Sequence, residues 1–238
     1  KKYISTHAKN LYSGQGLEDF KKEFVVWERY FGRFLPNDKN AKILDLGCGS
    51  GEFVYWLKHS GFPKTEGIDT SEEQVAAAKE LGVSGIVSGD ALPLLQKNKN
   101  SFDLIIARDF LEHFNKDELT KLIPTIFESL KTGGTFIVQT VNAEGLFGAR
   151  LRYADFTHET AFTQNSIKQL LNVFGFSFIN IHPMRPVIKG PVSFVRYVLW
   201  RTFELIQHLY LMAGTGYRKG IFTQDILCVA RKSSKSQI

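Results

Sequence analysis

Cysteine is scarce in this chain, with two, Cys48 and Cys228, in 238 residues. Two cysteines cannot build a multi-disulfide framework, and no Cys/His grouping has zinc-site spacing, so both classes are excluded. A reducing compartment, the cytoplasm, is the expected location. Also missing is any apolar run of about 18 residues, the minimum for a membrane span. The nearest stretch, Val192 to Ala213, is interrupted by Arg196, Arg201 and Glu204. No internal repeat or low-complexity run is present, and the polar tail Arg231 to Ile238 is expected to fray. Charge of one sign is not concentrated. Thirty Lys and Arg against 24 Asp and Glu give a net charge of +6 and a pI of about 9.2. That scattered excess tolerates an anionic substrate or surface without marking a nucleic-acid binder. The chain opens on Lys1-Lys2 rather than Met, so the lack of a targeting segment carries no weight.

What is present is an ordinary globular balance, 43% hydrophobic and 23% charged, in 27.0 kDa. That suits one large domain, 1–238, rather than two small ones. From Ala41 to about residue 142 short apolar runs alternate with helical stretches. Strands are expected at Ile43–Leu46, Thr65–Asp69, Gly85–Asp90, Phe102–Ala107 and Thr135–Thr140. Helices are expected at Glu52–His59, from Ser71 to Leu81 and at Lys116–Leu130. Ser71-Glu72-Glu73-Gln74 reads as a capping box, with Ser reaching forward and Gln back. Alternation at this spacing predicts an α/β fold, a doubly wound, mostly parallel sheet with helices on both faces.

Two regions break the alternation. Between Ser5 and Phe34, the residues Phe20, Phe24, Trp27, Phe31 and Phe34 recur at spacings of three and four. They predict an N-terminal helical cap (1–40) with one apolar face, packed on the sheet or lying over a ligand crevice. Residues 143–165 and 183–220 read as insertions on the substrate side, separated by a helix at Ser166–Phe174 and a strand at Phe176–Ile181. A last strand is expected at Thr223–Ala230.

In open α/β sheets a ligand sits beyond the carboxyl ends of the strands. Here those ends carry Gly47-Cys48-Gly49-Ser50-Gly51, then Asp69, Asp90 and Arg108-Asp109. An acidic residue roughly 20 residues after a glycine loop can accept both hydroxyls of a ribose. The competing reading is that the three Asp residues cap helices or turns.

The run Ile43-Leu44-Asp45-Leu46-Gly47-Cys48-Gly49-Ser50-Gly51 closely resembles the first motif of class I S-adenosylmethionine-dependent methyltransferases. Gly67-Ile68-Asp69-Thr70-Ser71, Ser88-Gly89-Asp90-Ala91 and Phe102-Asp103-Leu104-Ile105-Ile106 with Leu111-Glu112-His113 resemble the following motifs in order. Leu130-Lys131-x-Gly133-Gly134 is similar to the turn before strand five, so the likeness spans Ala41 to Thr140. It implies a seven-stranded sheet whose last strand is antiparallel, with S-adenosylmethionine as cofactor and S-adenosylhomocysteine as product. It also implies roles. Gly47 and Gly49 would let the backbone approach the methionine part, with Cys48 between them and Asp45 orienting the loop. Asp69, followed by Thr70, would hold the ribose diol. Asp90 would take the adenine amino group with Ala91 against the ring, and the Arg108 backbone would run along the methionine moiety. The sulfonium already makes the methyl electrophilic, so the protein has mainly to align a nucleophile and exclude water.

Two other classes compete. A nicotinamide or nucleotide-sugar oxidoreductase is opposed by the glycine spacing and by the lack of a Tyr-x-x-x-Lys pair after strand four. A non-catalytic S-adenosylmethionine-binding module would share the cofactor site without turnover.

For the acceptor, Arg108-Asp109-Phe110-Leu111 stands where nucleic-acid amino-methylating enzymes carry Asn/Asp-Pro-Pro-Tyr/Phe. This turns the reading from nucleic acid to a small molecule. No dedicated metal site is expected. Tyr153 to Thr163 is similar to the Asp-x-Thr-His-x-x-x-Phe-Thr segment of a methyltransferase subgroup met in bacterial surface-glycan biosynthesis. The resemblance implies a sugar hydroxyl, nucleotide-linked or lipid-linked, as acceptor. Another small metabolite, such as a quinone precursor methylated on O or N, is the alternative. A sugar hydroxyl needs a base, and His158 is the candidate, with Asp155 orienting it and His113 as a further crevice residue. Finally, Phe194, Val195, Val198, Leu199, Phe203, Ile206 and Tyr210 recur at helical spacing. They predict a helix that covers the insertion, forms a homodimer seam over 192–212 or touches a membrane peripherally.

Overall fold

The computed structural model describes residues 16–233, so the expected helix start at Ser5 and the tail beyond Ser233 lie outside the described residues. In chain order the elements are α1 (Leu17–Phe31), β1 (Ile43–Leu46), α2 (Glu52–His59), β2 (Thr65–Asp69), α3 (Glu72–Glu80), β3 (Ile86–Ser88), α4 (Ala91–Lys97) and β4 (Phe102–Arg108). There follow α5 (Lys116–Ser129), β5 (Leu130–Val141), α6 (Gly148–Ala154), α7 (Gln164–Val173), β6 (Phe176–Pro183), α8 (Pro191–Thr215) and β7 (Asp225–Lys232). The strands form one sheet in the order β3-β2-β1-β4-β5-β7-β6. All neighbours are parallel except β7, which runs antiparallel to both β5 and β6.

Every residue of β1 is buried, as expected of a central parallel strand covered on both faces. Alternation along the strands divides the core. Leu44, Leu46, Ile105, Ala107, Phe136 and Val138 pack on one face against Leu122, Ile123 and Ile126 of α5 and Ile167 and Leu171 of α7. Ile43, Leu104, Ile106 and Ile137 pack on the other against Trp27 and Phe31 of α1 and Phe53 and Trp56 of α2. The aromatic stripe of the N-terminal helix thus lies on the sheet.

Three local expectations are corrected. Ser71 caps α3, its Oγ accepting from Gln74 N at 3.3 Å, but the Ser71 N–H donates to Asp69 Oδ1 at 2.8 Å. Its donor is taken by the strand-end carboxylate, so the box is only half formed. Second, α4 was not foreseen, because Pro93 interrupts a short apolar run. It falls in the first turn of the helix, where a missing N–H costs nothing. Third, β3 ends at Ser88, two residues short of Asp90, which is instead the N-cap of α4.

The carboxyl edge of the parallel strands gathers both insertions. Val141 pairs with Asp225 and Pro183 with Ile226 at that edge. Asn142 Nδ2 donates to Ile221 O and Thr223 O at 2.7 and 2.8 Å, tying the start of one insertion to the end of the other.

Candidate active site

The glycine loop leaves β1 under main-chain control. Gly47 and Cys48 both donate to Ile68 O of β2, at 2.9 and 3.1 Å. Gly47 has φ +69°, and a Cβ there would come within 2.7 Å of the Phe110 ring. Gly49 has φ +53° with nothing within 4 Å of where a Cβ would stand, so its face opens onto the cleft. Asp69 spans the next turn. Its Oδ2 accepts from Gly49 N at 2.8 Å while Oδ1 accepts from Ser71 N, which leaves lone pairs on both oxygens for hydroxyl donors.

A cleft of about 210 Å³ lies along this edge, lined by Asp45, Gly47, Cys48, Gly49, Asp69 and Arg108 from the expected set. Ser50, Glu52, Phe53, Ser71, Gln74 and Asp109 complete it. Thr70, Asp90 and Ala91 are not among its lining residues. Asp90 Oδ1 accepts from Leu92 N at 2.9 Å as a helix cap.

Burial governs the electrostatics. Asp45 is 2% exposed, and desolvation pushes its carboxyl up to about 7, opposed by the charge of Arg108. The Cys48 thiol is pushed up by burial and stays protonated. Arg108 enters the cleft through its side chain, rather than through its backbone alone. Its guanidinium carbon sits 4.5 Å from the Phe53 ring centre and 5.3 Å from that of Trp27. Arg108 Nε and Glu52 Oε1 are buried with no hydrogen-bond partner among the described residues. Burial raises the Glu52 carboxyl above its ordinary value. Buried orphans of opposite charge in an open cleft are a signature of a missing polar ligand. An amino acid's carboxylate and ammonium would satisfy Arg108 and Glu52, and a ribose diol would satisfy Asp69. S-adenosylmethionine carries all three groups, so the residues present fit it. Glu52 is not among the residues the sequence motifs single out, although its place at the start of α2 right after the loop is a usable signal.

Beside the cleft a second cluster joins two distant segments. Asp109, with φ +47°, is held by Gln139 Nε2, which donates to both carboxylate oxygens at 3.1 and 3.0 Å. A bulkier-than-glycine residue in this region marks a strained, over-determined position. Glu112 is buried. Desolvation and the nearby Asp109 raise its pKa, and it accepts from Thr140 Oγ1 at 3.0 Å. Its main-chain carbonyl accepts from Glu159 N and Thr160 N at 2.8 and 3.0 Å. Thr160 Oγ1 donates to Phe114 O at 2.7 Å. These bonds bring His158 beside His113, with ring centres 4.9 Å apart.

The bonding fixes the proton on each neutral imidazole. His158 Nδ1 lies 3.1 Å from Leu151 O, and a carbonyl can only accept, so Nδ1 carries the hydrogen and Nε2 a free lone pair. Thr157 Oγ1 donates to Asp155 Oδ1 at 2.7 Å and therefore accepts from His113 Nδ1 at 3.0 Å. Asp155 thus reaches His113 through Thr157, the Asp155 main-chain carbonyl accepts from His158 N at 3.2 Å, and Leu151 O holds the His158 ring. Burial and the neighbouring His158 hold the His113 pKa below the usual histidine range. Among the described residues no group of three or more His, Cys, Asp or Glu is arranged to hold a metal ion.

A seven-stranded sheet of this order, with a glycine loop and an acidic residue at adjacent strand ends, defines the class I methyltransferase fold. The chain belongs to the methyltransferase-domain family, which matches residues 20–181. It is 31% identical over 144 residues to a phosphoethanolamine N-methyltransferase of Plasmodium falciparum, covering 54% of this chain and 53% of that protein. It is 32% identical over 122 residues to a demethylmenaquinone methyltransferase of Leptospira interrogans, covering 47% of this chain and 48% of that one. The chain therefore spans about half the length of these relatives. In fold it is similar to a SAM-dependent methyltransferase from Archaeoglobus fulgidus, with a TM-score of 0.64 at 21% identity, covering 88% of this chain and 99% of that one.

Proposed function

We propose that the chain transfers a methyl group from S-adenosylmethionine to a hydroxyl of a small molecule, with His158 as general base and a sugar hydroxyl as the preferred acceptor. The observation that carries this reading is the His158 ring, whose Nδ1 is bound to Leu151 O. Its Nε2 is then the acceptor in the neutral form. A hydroxyl is a poor nucleophile at neutral pH, and removal of its proton as the C–O bond forms is what a positioned imidazole supplies. When bound, the cofactor supplies an electrophilic methyl on a sulfonium. The chain's own work is to hold the diol at Asp69, neutralise the amino-acid end with Arg108 and Glu52, and receive the acceptor's proton at His158 Nε2. Thr157 and Asp155 keep the hydrogen of His113 on Nδ1. His113 is thus a second neutral imidazole for positioning the acceptor.

The sugar reading rests on the segment Tyr153 to Thr163, whose Asp155, Thr157 and His158 all take part in this cluster, and it extends to a role in glycan biosynthesis. A quinone precursor is the second reading, since a demethylmenaquinone methyltransferase and a ubiquinone biosynthesis O-methyltransferase are among the proteins this chain resembles. Incubation with labelled S-adenosylmethionine and a panel of nucleotide sugars, lipid-linked saccharides and phenolic quinone precursors tests both. Methylated sugar is the expected product. Label in the phenols alone would move the assignment to quinones, and transfer to no acceptor would favour a binding module.

A further inference from the structure

Helix α8 is an amphipathic helix turned outward. At about 100° per residue, Phe194, Val198, Phe203, Ile206, Leu209 and Tyr210 fall within about half of its circumference. All six are exposed, Phe203 at 58% and Tyr210 at 82%. The opposite half, with Ser193, Tyr197, Trp200, Glu204 and His208, faces the protein. Glu204 is the one buried residue of the helix. It is gripped by Arg185, whose Nε lies 3.0 and 2.9 Å from its two oxygens and whose Nη2 lies 2.8 Å from one. Arg201 adds a contact at 3.4 Å. Tyr30 Oη donates to Arg185 O, which fixes this anchor to α1. The inward-facing ion pair therefore sets the helix rotation, and the apolar half is held in water by design of the anchor. An apolar face of such length on a folded chain marks an interaction surface.

We infer that this face docks the protein onto an anionic lipid bilayer, lying in the headgroup plane. The charge pattern selects that occupant. Between residues 183 and 224 stand six basic residues and a single acid, Glu204, and that acid is buried and paired. Arg196 and Arg201 stand at the two borders of the apolar half, with Lys189 before the helix and Arg218 and Lys219 beyond it. Arg185 is spent on Glu204 and Lys189 on Glu23 and Lys22 O. A second copy of the face would still set the border arginines against each other with no exposed carboxylate in the segment to answer them, whereas anionic headgroups answer Arg196, Arg201, Arg218 and Lys219. A helix with aromatic and aliphatic residues on one face and basic residues at its borders is the interfacial type. No helix among the described residues is long and apolar enough to cross a membrane. A second patch points the same way. Leu146, Phe147, Tyr153 and Phe156 are exposed, at 45–85%, beside Arg150 and Arg152 in the other insertion, which leaves from the same sheet edge. The carboxyl edge, with its cleft, is thereby turned toward the surface where an amphiphilic acceptor would reside.

This inference goes beyond the methyl-transfer reading and is tested without cofactor or acceptor, so either can fail alone. The full chain is sedimented with phosphatidylcholine vesicles that do or do not contain phosphatidylglycerol. Binding to the anionic vesicles, and little to the neutral ones, is the expected result. Phe203→Asp with Ile206→Asp should weaken it at least 10-fold with an unchanged thermal melt, since both side chains are exposed. Arg196→Glu, which leaves the apolar face intact, should weaken it several-fold and lower its salt sensitivity. Failure to bind anionic vesicles overturns the inference. So does a stable dimer in light scattering that the Phe203→Asp/Ile206→Asp pair dissolves, because the face would then belong to a second copy.

Discussion

The two halves of the carboxyl edge are built in different ways. Around β1 and β2 most of the cofactor cleft is made of near neighbours in sequence, in which the glycine loop donates main-chain N–H groups to Ile68 O and to the carboxylate of the next strand's terminal Asp69, with Arg108 the distant contributor. Around β4 and β5 the acceptor side is made of distant partners, as Glu112 fastens residues 159 and 160 and His113 meets Thr157 and His158. The first half is a short-range device for binding. The second is a long-range device for chemistry, and damage to each should be read out by a different kinetic constant.

Asp69→Ala offers the largest break. It removes the diol acceptor and leaves the Gly49 and Ser71 N–H groups without their partner, two charge-assisted bonds at once. Calorimetry should show S-adenosylmethionine affinity falling about 100-fold or more, with turnover at saturating cofactor far less affected. Arg108→Met keeps some of the packing against Phe53 and Trp27 but loses the charge. An affinity loss of about 10-fold is expected, and a much smaller change would remove Arg108 from the cofactor's amino-acid end.

On the acceptor side, Thr157→Val breaks the chain from His113 to Asp155. Burial and His158 lower the His113 pKa, while Asp155 and a main-chain bond of Thr157, which valine keeps, raise it. kcat should drop a few-fold with cofactor affinity unchanged. The smallest effect is one of stability. Burial and the charge of Asp109 push Asp225 up to about 7, against about 3.9 in an unfolded chain. The folded state therefore keeps a proton that the unfolded state releases, and the resulting penalty grows from about pH 4 and is complete above 7. Asp225→Asn should raise Tm by about 2–4 °C at pH 8 and leave it unchanged near pH 4.

The same contrast explains what was legible in the sequence. The strand-end residues Gly47, Gly49 and Asp69 could be read because loop, strand and cap signals are local. The side-chain role of Arg108 could not, since its aromatic bed pairs Phe53 with Trp27 from a helix far upstream. Nearness in sequence pairs Asp155 with His158, and space adds a link to His113 through the Thr157 hydroxyl that spacing alone does not show. α4 was hidden by Pro93. In α8 the period of the apolar residues was plain, yet a period does not say which side faces the protein. The usable signal was Glu204, a lone acid opposite the apolar face, waiting for Arg185.

The most direct test of the division is His158→Ala measured by two readouts on the same sample, cofactor affinity by calorimetry and single-turnover methyl transfer across pH. The expected result is an affinity within about two-fold of the parent protein and a rate lower by about 10²-fold or more. A variant that transfers methyl at the parent rate with the parent pH profile would contradict it, as would one whose slow turnover traced entirely to lost cofactor binding.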